Sequence, residues 1–241
     1  MKDSLKSPGR DRRRVYVRSL PVRLCHWTIF LCVPILVLTG LYISHPYLLA
    51  AETRDPFVTG TIKYIHVYTA CVFDVAFAAE LMMIFFGGRY ERLGQYIPLS
   101  RKRWRSVVES LKFYLFLRRT PPMTVGHDGL DGFVFDIGFL IETVIILTGF
   151  AMWANLTAYD SPLAYLGFLV PIFGGLETAR WIHHIMMWIM IAWILQHVIR
   201  AIMLSVIKQD ATMESIFSGY KYISPQKVAE FEDTAVSDDQ K

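Results

Sequence analysis

Five of the seven histidines in this 241-residue chain lie within or at the ends of long apolar runs. Ionisable side chains are costly inside a membrane and indicate function where they occur there. His183 and His197 are 14 residues apart, so a helix would point both to nearly the same face, about 21 Å apart along its axis. Neutral imidazole is a common metal ligand. The spacing therefore predicts two ligand positions on one helix, while His184, rotated by about 100°, would face elsewhere.

The elements that position these histidines are predicted to be membrane helices. The chain is 54% hydrophobic and 19% charged, whereas soluble domains carry roughly 25% charged residues. This balance argues against a disordered chain and an ordinary soluble enzyme, and a net charge of +4 is too small to indicate nucleic-acid binding. A span needs about 20 apolar residues. Four runs qualify, at residues 20–43, 64–86, 132–153 and 182–207.

The predicted fold is an all-α integral membrane four-helix bundle. It comprises an N-terminal arm at residues 1–19, a four-span domain at 20–207 and a C-terminal tail at 208–241. The apolar stretch at 163–173 is too short to span and is interpreted as an interfacial or re-entrant segment.

Lysine and arginine residues are distributed unevenly between the segments outside the spans. Eight precede residue 24 and nine lie at 87–131, whereas 44–63 carries two and 155–181 carries one. Cytoplasmic loops are enriched in these residues. The pattern predicts that both termini and the middle loop face the cytoplasm, in the inner membrane of a bacterium or archaeon.

The topology groups the histidines by depth. His26 and His197 share the cytoplasmic side, whereas His66 and His183 share the outward side. Two histidines at equal depth on different helices would clamp a flat macrocycle from both faces, which predicts two b-type haems stacked across the bilayer. Iron with both axial positions filled transfers electrons and does not bind substrate. The alternative is histidines that only hydrogen-bond between helices.

A short internal repeat accompanies the histidines. Residues 35–43 and 144–152 both contain Leu-Thr-Gly, near the outward ends of the first and third spans. Glycine there lets a helix or a flat ligand approach the backbone. Simple helix packing is an equally acceptable explanation.

Several motifs together resemble the cytochrome b subunit of membrane-bound, outward-facing nickel–iron uptake hydrogenases. The formate dehydrogenase or thiosulfate reductase type of di-haem cytochrome is the nearest competing family. The resemblance covers roughly residues 15–222. Its motifs are PVRLCHW at 21–27, YIH at 64–66, FGGRY at 86–90, YLF at 114–116, GH at 126–127, LTGF at 147–150, His183 with His197, and SGY at 218–220.

The resemblance implies a membrane anchor and electron relay for a hydrogenase whose small and large subunits lie on the outer face. Hydrogen chemistry would reside in those partners. Electrons would pass from their iron–sulfur clusters to the outer haem, held by His66 and His183. They would continue to the inner haem, held by His26 and His197, and then to a quinone, either ubiquinone or menaquinone, reduced on this chain.

Further residues are candidates for supporting roles. His127 is placed to hydrogen-bond a quinone carbonyl, with Tyr114, Asp128 and Asp131 nearby in sequence. The guanidinium groups of Arg23, Arg89 and Arg200 suit haem propionates, although positive-inside anchoring explains them equally well.

Four acids fall within the second and third spans, namely Asp74, Glu80, Asp136 and Glu142. Glu80 follows His66 by 14 residues, so with Asp136 it is a candidate for a proton path from the cytoplasm to the quinone. Protonated acids that hydrogen-bond between helices are the alternative.

Two functions of other classes remain to be compared with the relay. One is a small proton-coupled transporter that uses the membrane acids, although paired broken helices are not evident. The other is a structural anchor that has lost its haems, against which the intact histidines argue.

Overall fold

Four long helices dominate the computed structural model, which describes residues 12–46, 57–88, 90–92, 101–119, 129–156, 160–208, 211–223, 225 and 229. They are α1 (Leu20–Ser44), α2 (Val58–Phe86), α4 (Gly129–Ala154) and α6 (Leu176–Lys208). Each is long and apolar enough to cross a membrane. The four predicted spans are therefore confirmed.

The helices α2 and α6 begin earlier than their predicted spans. Each starts six residues before the apolar run, at Val58 and Leu176. These extra turns hold polar residues, which a search for apolar runs excludes but a helix accepts. Glu177 in the first turn of α6 also suits the positive end of the helix dipole.

Shorter elements lie outside the four spans. They are strand β1 (Arg13–Tyr16), helix α3 (Arg101–Tyr114), a 3₁₀ helix (Pro162–Phe168), α5 (Leu169–Ile172), α7 (Ser215–Ser218) and strand β2 (Tyr220–Ile223). Strands β1 and β2 pair in a two-stranded sheet. The apolar stretch at 163–173 is helical and, as predicted, too short to span a membrane.

Helix α3 ends in a cluster of charged side chains. Glu109 accepts hydrogen bonds from Lys112 and Arg118, each at 2.8 Å. The hydrogen bond from Lys112 is the main reason that the pKa of the Glu109 carboxyl is lowered from its usual value. The carboxylate is therefore retained to lower pH than in a free glutamate.

The described chain divides into two compact units. The α1–α2 unit comprises residues 16–93 and 215–220, with helices α1, α2 and α7. The α4–α6 unit comprises residues 1–15, 94–214 and 221–241, with helices α3 to α6. Each unit contains two of the four candidate haem ligands.

In the α1–α2 unit the two long helices are joined at both ends. At one end the hydroxyls of Tyr42 and Thr59 lie 3.2 Å apart. At the other end the buried carboxylate of Glu91 accepts the backbone N–H of Ser19, which precedes α1, and that of Gly88, which follows α2. These contacts fix the pairing of α1 with α2.

In the α4–α6 unit small residues allow close packing. Ala151 on α4 and Ala179 on α6 are fully buried and cluster with Leu169 of α5. Further along, a Cβ added to Gly138 would lie 2.5 Å from the ring of Trp193. The glycine therefore provides the space that the Trp193 indole occupies against α4.

The outer faces of the long helices are apolar and little covered by the chain itself. At most 22% of the most apolar window of any span is buried within the molecule. Such faces require lipid or partner helices around them. The chain is a multi-pass membrane protein.

Candidate functional site

His66 projects from α2 toward the Leu-Thr-Gly segment of α1. Its Nδ1 lies 2.8 Å from the Thr39 hydroxyl oxygen, and its imidazole also hydrogen-bonds to the backbone of Leu36. A Cβ added to Gly40 would lie 3.4 Å from His66 Cε1. The repeat glycine therefore leaves room for an imidazole from the neighbouring helix.

His183 projects from α6 toward the second Leu-Thr-Gly segment, on α4, in the same manner. Its Nδ1 lies 3.0 Å from the Thr148 hydroxyl and 3.0 Å from the Ile145 carbonyl oxygen. A Cβ added to Gly149 would lie 3.6 Å from His183 Cε1. The internal repeat thus builds the same histidine pocket once in each unit.

The hydrogen bonds specify which nitrogen is available to a metal. The Thr148 hydroxyl donates to the Val144 carbonyl at 2.7 Å, so its oxygen accepts from the histidine. The Ile145 carbonyl is an acceptor only, so Nδ1 of His183 carries the proton. A neutral imidazole protonated at Nδ1 has its lone pair on Nε2.

The corresponding contacts of His66 also place the proton on Nδ1. The Thr39 hydroxyl donates to the Ile35 carbonyl at 2.6 Å, which leaves its oxygen to accept from Nδ1. In both units Nε2 is therefore the ring nitrogen whose lone pair is left available to a metal.

His197 is oriented by aromatic rings. The indole of Trp193, one turn earlier on α6, stacks on its imidazole with centroids 5.3 Å apart and planes 8° apart. Phe135 meets the same imidazole edge-on at 5.4 Å. Trp193 is itself fixed, because its Nε1 donates to the Val134 carbonyl at 3.0 Å.

His26 lies in the second turn of α1. The ring of Trp27 meets it edge-on at 5.7 Å. Arg18 acts electrostatically on both His26 and the Glu80 carboxyl of α2.

Arg200 is a buried cation with only part of its hydrogen-bonding capacity used. Its Nη2 lies 2.7 Å from Asp131 Oδ1, and only 8% of its side chain is exposed. Its Nη1 is buried and has no hydrogen-bond partner among the residues that the structure describes. Leaving a buried donor unsatisfied costs about 1–3 kcal/mol, so this atom suits an acidic ligand.

Of the other three supporting candidates, only Arg23 lies within the described residues. Arg23 donates from Nη1 to the Phe217 carbonyl, and its Nε has no partner within the described part of the chain. His127 and Arg89 lie outside the described residues.

The remaining membrane acids lie on two helices. Asp74 is partly buried on α2, whereas Asp136 is partly buried and Glu142 is buried on α4. Asp131, which is close to His127 in sequence, is the ion-pair partner of Arg200.

The donor set fits axial ligation of haem iron. Four histidines lie on spanning helices, two of them with Nδ1 hydrogen-bonded so that Nε2 is presented. Metal-ligating histidines usually donate their other ring N–H in this way. Sequence reasoning missed Thr39, Thr148 and Trp193 as supports for the ligands, although the Leu-Thr-Gly repeat was the available signal for two of them.

Comparison with known proteins agrees with this reading. The family model described as "Prokaryotic cytochrome b561" matches residues 17–219. A protein of Bradyrhizobium diazoefficiens is 32% identical over 86% of this chain and 86% of its own length. A protein of Cupriavidus necator is 30% identical over 88% and 89%, respectively. Both are named "Probable Ni/Fe-hydrogenase B-type cytochrome subunit".

A third relative comes from Escherichia coli strain K12. It is 30% identical over 86% of this chain and 90% of its own length, and it is named "Probable Ni/Fe-hydrogenase 1 B-type cytochrome subunit".

Spanning helices that carry oriented imidazoles define a membrane electron-transfer cytochrome that binds b-type haem. The chain belongs to the prokaryotic cytochrome b561 family, whose model covers most of its length.

Proposed function

We propose that this chain anchors a nickel–iron hydrogenase to the membrane and passes its electrons through two b-type haems to the quinone pool. The observation that carries the proposal is the pair of Thr–His contacts, which present Nε2 of His66 and of His183. The names of the relatives favour a hydrogenase over a formate or thiosulfate enzyme as partner. Hydrogen chemistry resides in the small and large subunits of that partner.

The four histidines would hold the haems as two pairs. His66 with His183 would hold one haem, and His26 with His197 would hold the other. A bis-histidine haem supplies reversible one-electron transfer at an iron with no open position.

The charge distribution supports an orientation in the inner membrane. The basic N-terminal arm and the middle loop face the cytoplasm, as does the tail. The His66–His183 pair then lies on the outward side, next to the hydrogenase. The His26–His197 pair lies on the cytoplasmic side, next to the quinone.

Supporting residues hold the haem carboxylates and the quinone. The unused Nη1 of Arg200 and the Nε of Arg23 are donors for propionates, and Arg89 is assigned the same role from its sequence position. His127 is assigned to a quinone carbonyl.

Glu80 with Asp136 supplies protons to the quinone. The charge of Arg18 acts on both Glu80 and His26, which supports a place for Glu80 near His26. Glu80→Gln is expected to slow hydrogen-dependent quinone reduction, and unchanged turnover across pH would remove Glu80 from the path.

The function is tested in membranes that contain the complete hydrogenase complex. His183→Leu is expected to abolish hydrogen-driven quinone reduction while hydrogen-driven reduction of a soluble dye by the catalytic subunits persists. His184→Leu is the matched control, because this neighbour points to another part of the helix surface. Quinone reduction at the unaltered rate in His183→Leu would refute the relay.

A further inference from the structure

The two Leu-Thr-Gly segments place a threonine hydroxyl against a histidine in the same way in both units. The Thr39 and Thr148 oxygens lie 2.8 Å and 3.0 Å from Nδ1 of His66 and His183, respectively. In each case the repeat glycine follows the threonine and faces the imidazole. The match includes the backbone, because each histidine also bonds to the residue three positions before the threonine.

The threonine hydroxyls are held in one orientation by their own helices. Thr39 donates to the carbonyls of Ile35 and Leu36 at 2.6 Å and 3.2 Å. Thr148 donates to those of Val144 and Ile145 at 2.7 Å and 2.9 Å. Since the hydroxyl proton points back along the helix, the oxygen lone pairs face the histidine.

We propose that Thr39 and Thr148 are matched positioning residues, each setting the donor strength of its own histidine toward a haem iron. The proposal rests on the proposed function, because it requires His66 and His183 to be haem ligands. It adds two residues and a specific effect that ligand assignment alone does not give.

The effect follows from the hydrogen bond at Nδ1. An acceptor at this atom makes the imidazole a stronger base at Nε2. A stronger donor stabilises oxidised iron relative to reduced iron, so it lowers the midpoint potential. Removing the acceptor should raise that potential.

Valine is the informative replacement for each threonine. It keeps the branched shape but cannot accept a hydrogen bond. Because the backbone contact to each histidine remains, we expect a shifted potential and retained haem.

The chain offers a matched control on α4. Thr143 donates to the Phe139 carbonyl at 2.7 Å, which is the same back-bond that Thr148 makes one and a half turns later. A Thr143→Val change therefore removes a comparable hydroxyl without removing a contact to His183.

The inner pair should respond differently. His197 is oriented by the stacked Trp193 ring and by Phe135, and neither ring is altered by the threonine changes. The potential of the second haem should therefore stay constant.

The experiment is a redox titration of the b-haem absorption in membranes holding the complete complex, with electron paramagnetic resonance of the oxidised haems. Thr39→Val and Thr148→Val should each raise the midpoint potential of a haem component. Thr143→Val should shift neither component. Thr39→Ser, which keeps the hydroxyl, should restore the original potential.

Two results would overturn the proposal: no shift in either variant, or a Thr39→Ser shift equal to that of Thr39→Val. If Thr39→Val lost haem, retention in Thr39→Ser would still support the hydroxyl role and loss in both would contradict it. Absence of haem from the unaltered protein would instead refute the proposed function.

Discussion

At the scale of single residues, the histidines depend on neighbours that hold their rings. Thr39 and Thr148 contact Nδ1 of His66 and His183, respectively, and Trp193 stacks on His197. These contacts restrict ring rotation before any ligand binds. Preorganised ligands of this kind reduce the ordering that binding requires.

Arg200 has a structural role in an ion pair and a proposed role in haem binding, and the two can be tested separately. Breaking a buried ion pair by removing one partner costs roughly 3–5 kcal/mol. Since 17% of the Asp131 side chain is exposed, we expect Asp131→Asn to lower the free energy of unfolding by an amount at the lower end of this range. Thermal unfolding in detergent would measure the loss.

The double variant Arg200→Met with Asp131→Leu tests the proposed haem-binding role of Arg200 separately from its ion pair. Replacing a buried pair by apolar residues is often neutral, so we expect stability to recover while the haem-to-protein ratio falls. Full haem retention would show that Arg200 serves only the ion pair. Arg180→Gln is the control, because the Arg180–Glu177 pair is exposed and such pairs are worth about 0–1 kcal/mol.

At the scale of elements, the turn between α7 and β2 is tied to the start of the chain. The Gly219 carbonyl accepts the backbone N–H groups of Val17 and Arg18 at 2.8 Å and 3.2 Å. Gly219 has a φ of +86°, and a Cβ there would lie 2.5 Å from the Tyr16 ring and 2.8 Å from the Arg18 carbonyl oxygen. Only glycine fits this position without displacement.

Gly219→Ala should therefore destabilise the α1–α2 unit. Adverse backbone conformations cost about 1–3 kcal/mol, and the clash with the Arg18 backbone adds to this. Gly60→Ala is the matched control on α2, where an added Cβ meets nothing within 4 Å. Equal thermal midpoints for the two variants would contradict this account of the turn.

The elements that the sequence predicted are those that depend on local composition. Long apolar runs predicted all four spans, and their polar first turns were missed because those turns lie outside the apolar run. Helix α3 was missed because its apolar residues form only one face, with Trp104, Val108 and Leu111 at helical spacing among charged neighbours. The pairing of β1 with β2 was missed because its partners are about 200 residues apart in sequence.

The site was predictable to a similar extent. Histidine spacing indicated the candidate ligands, and the Leu-Thr-Gly repeat indicated a close approach at two helix positions. That the approaching group is the imidazole ring itself depends on the pairing of α1 with α2 and of α4 with α6. Spacing within one helix does not contain that information.

At the scale of the whole molecule, the distribution of charge predicts a definite topology. A periplasm-active reporter such as alkaline phosphatase should be active when fused in the segment at 47–56 or at 157–159. It should be inactive when fused after residue 241 or within 120–128. A cytoplasm-active reporter should give the inverse pattern, and an active phosphatase at the C-terminus would contradict the predicted orientation.

The relay requires two haems in one chain, so haem content tests its central claim most directly. The measurement is the reduced-minus-oxidised absorption spectrum of the purified protein, with the haem extracted and quantified per chain. The account predicts a b-type α-band and two haems per chain. A protein with no haem, or with only one, would contradict it.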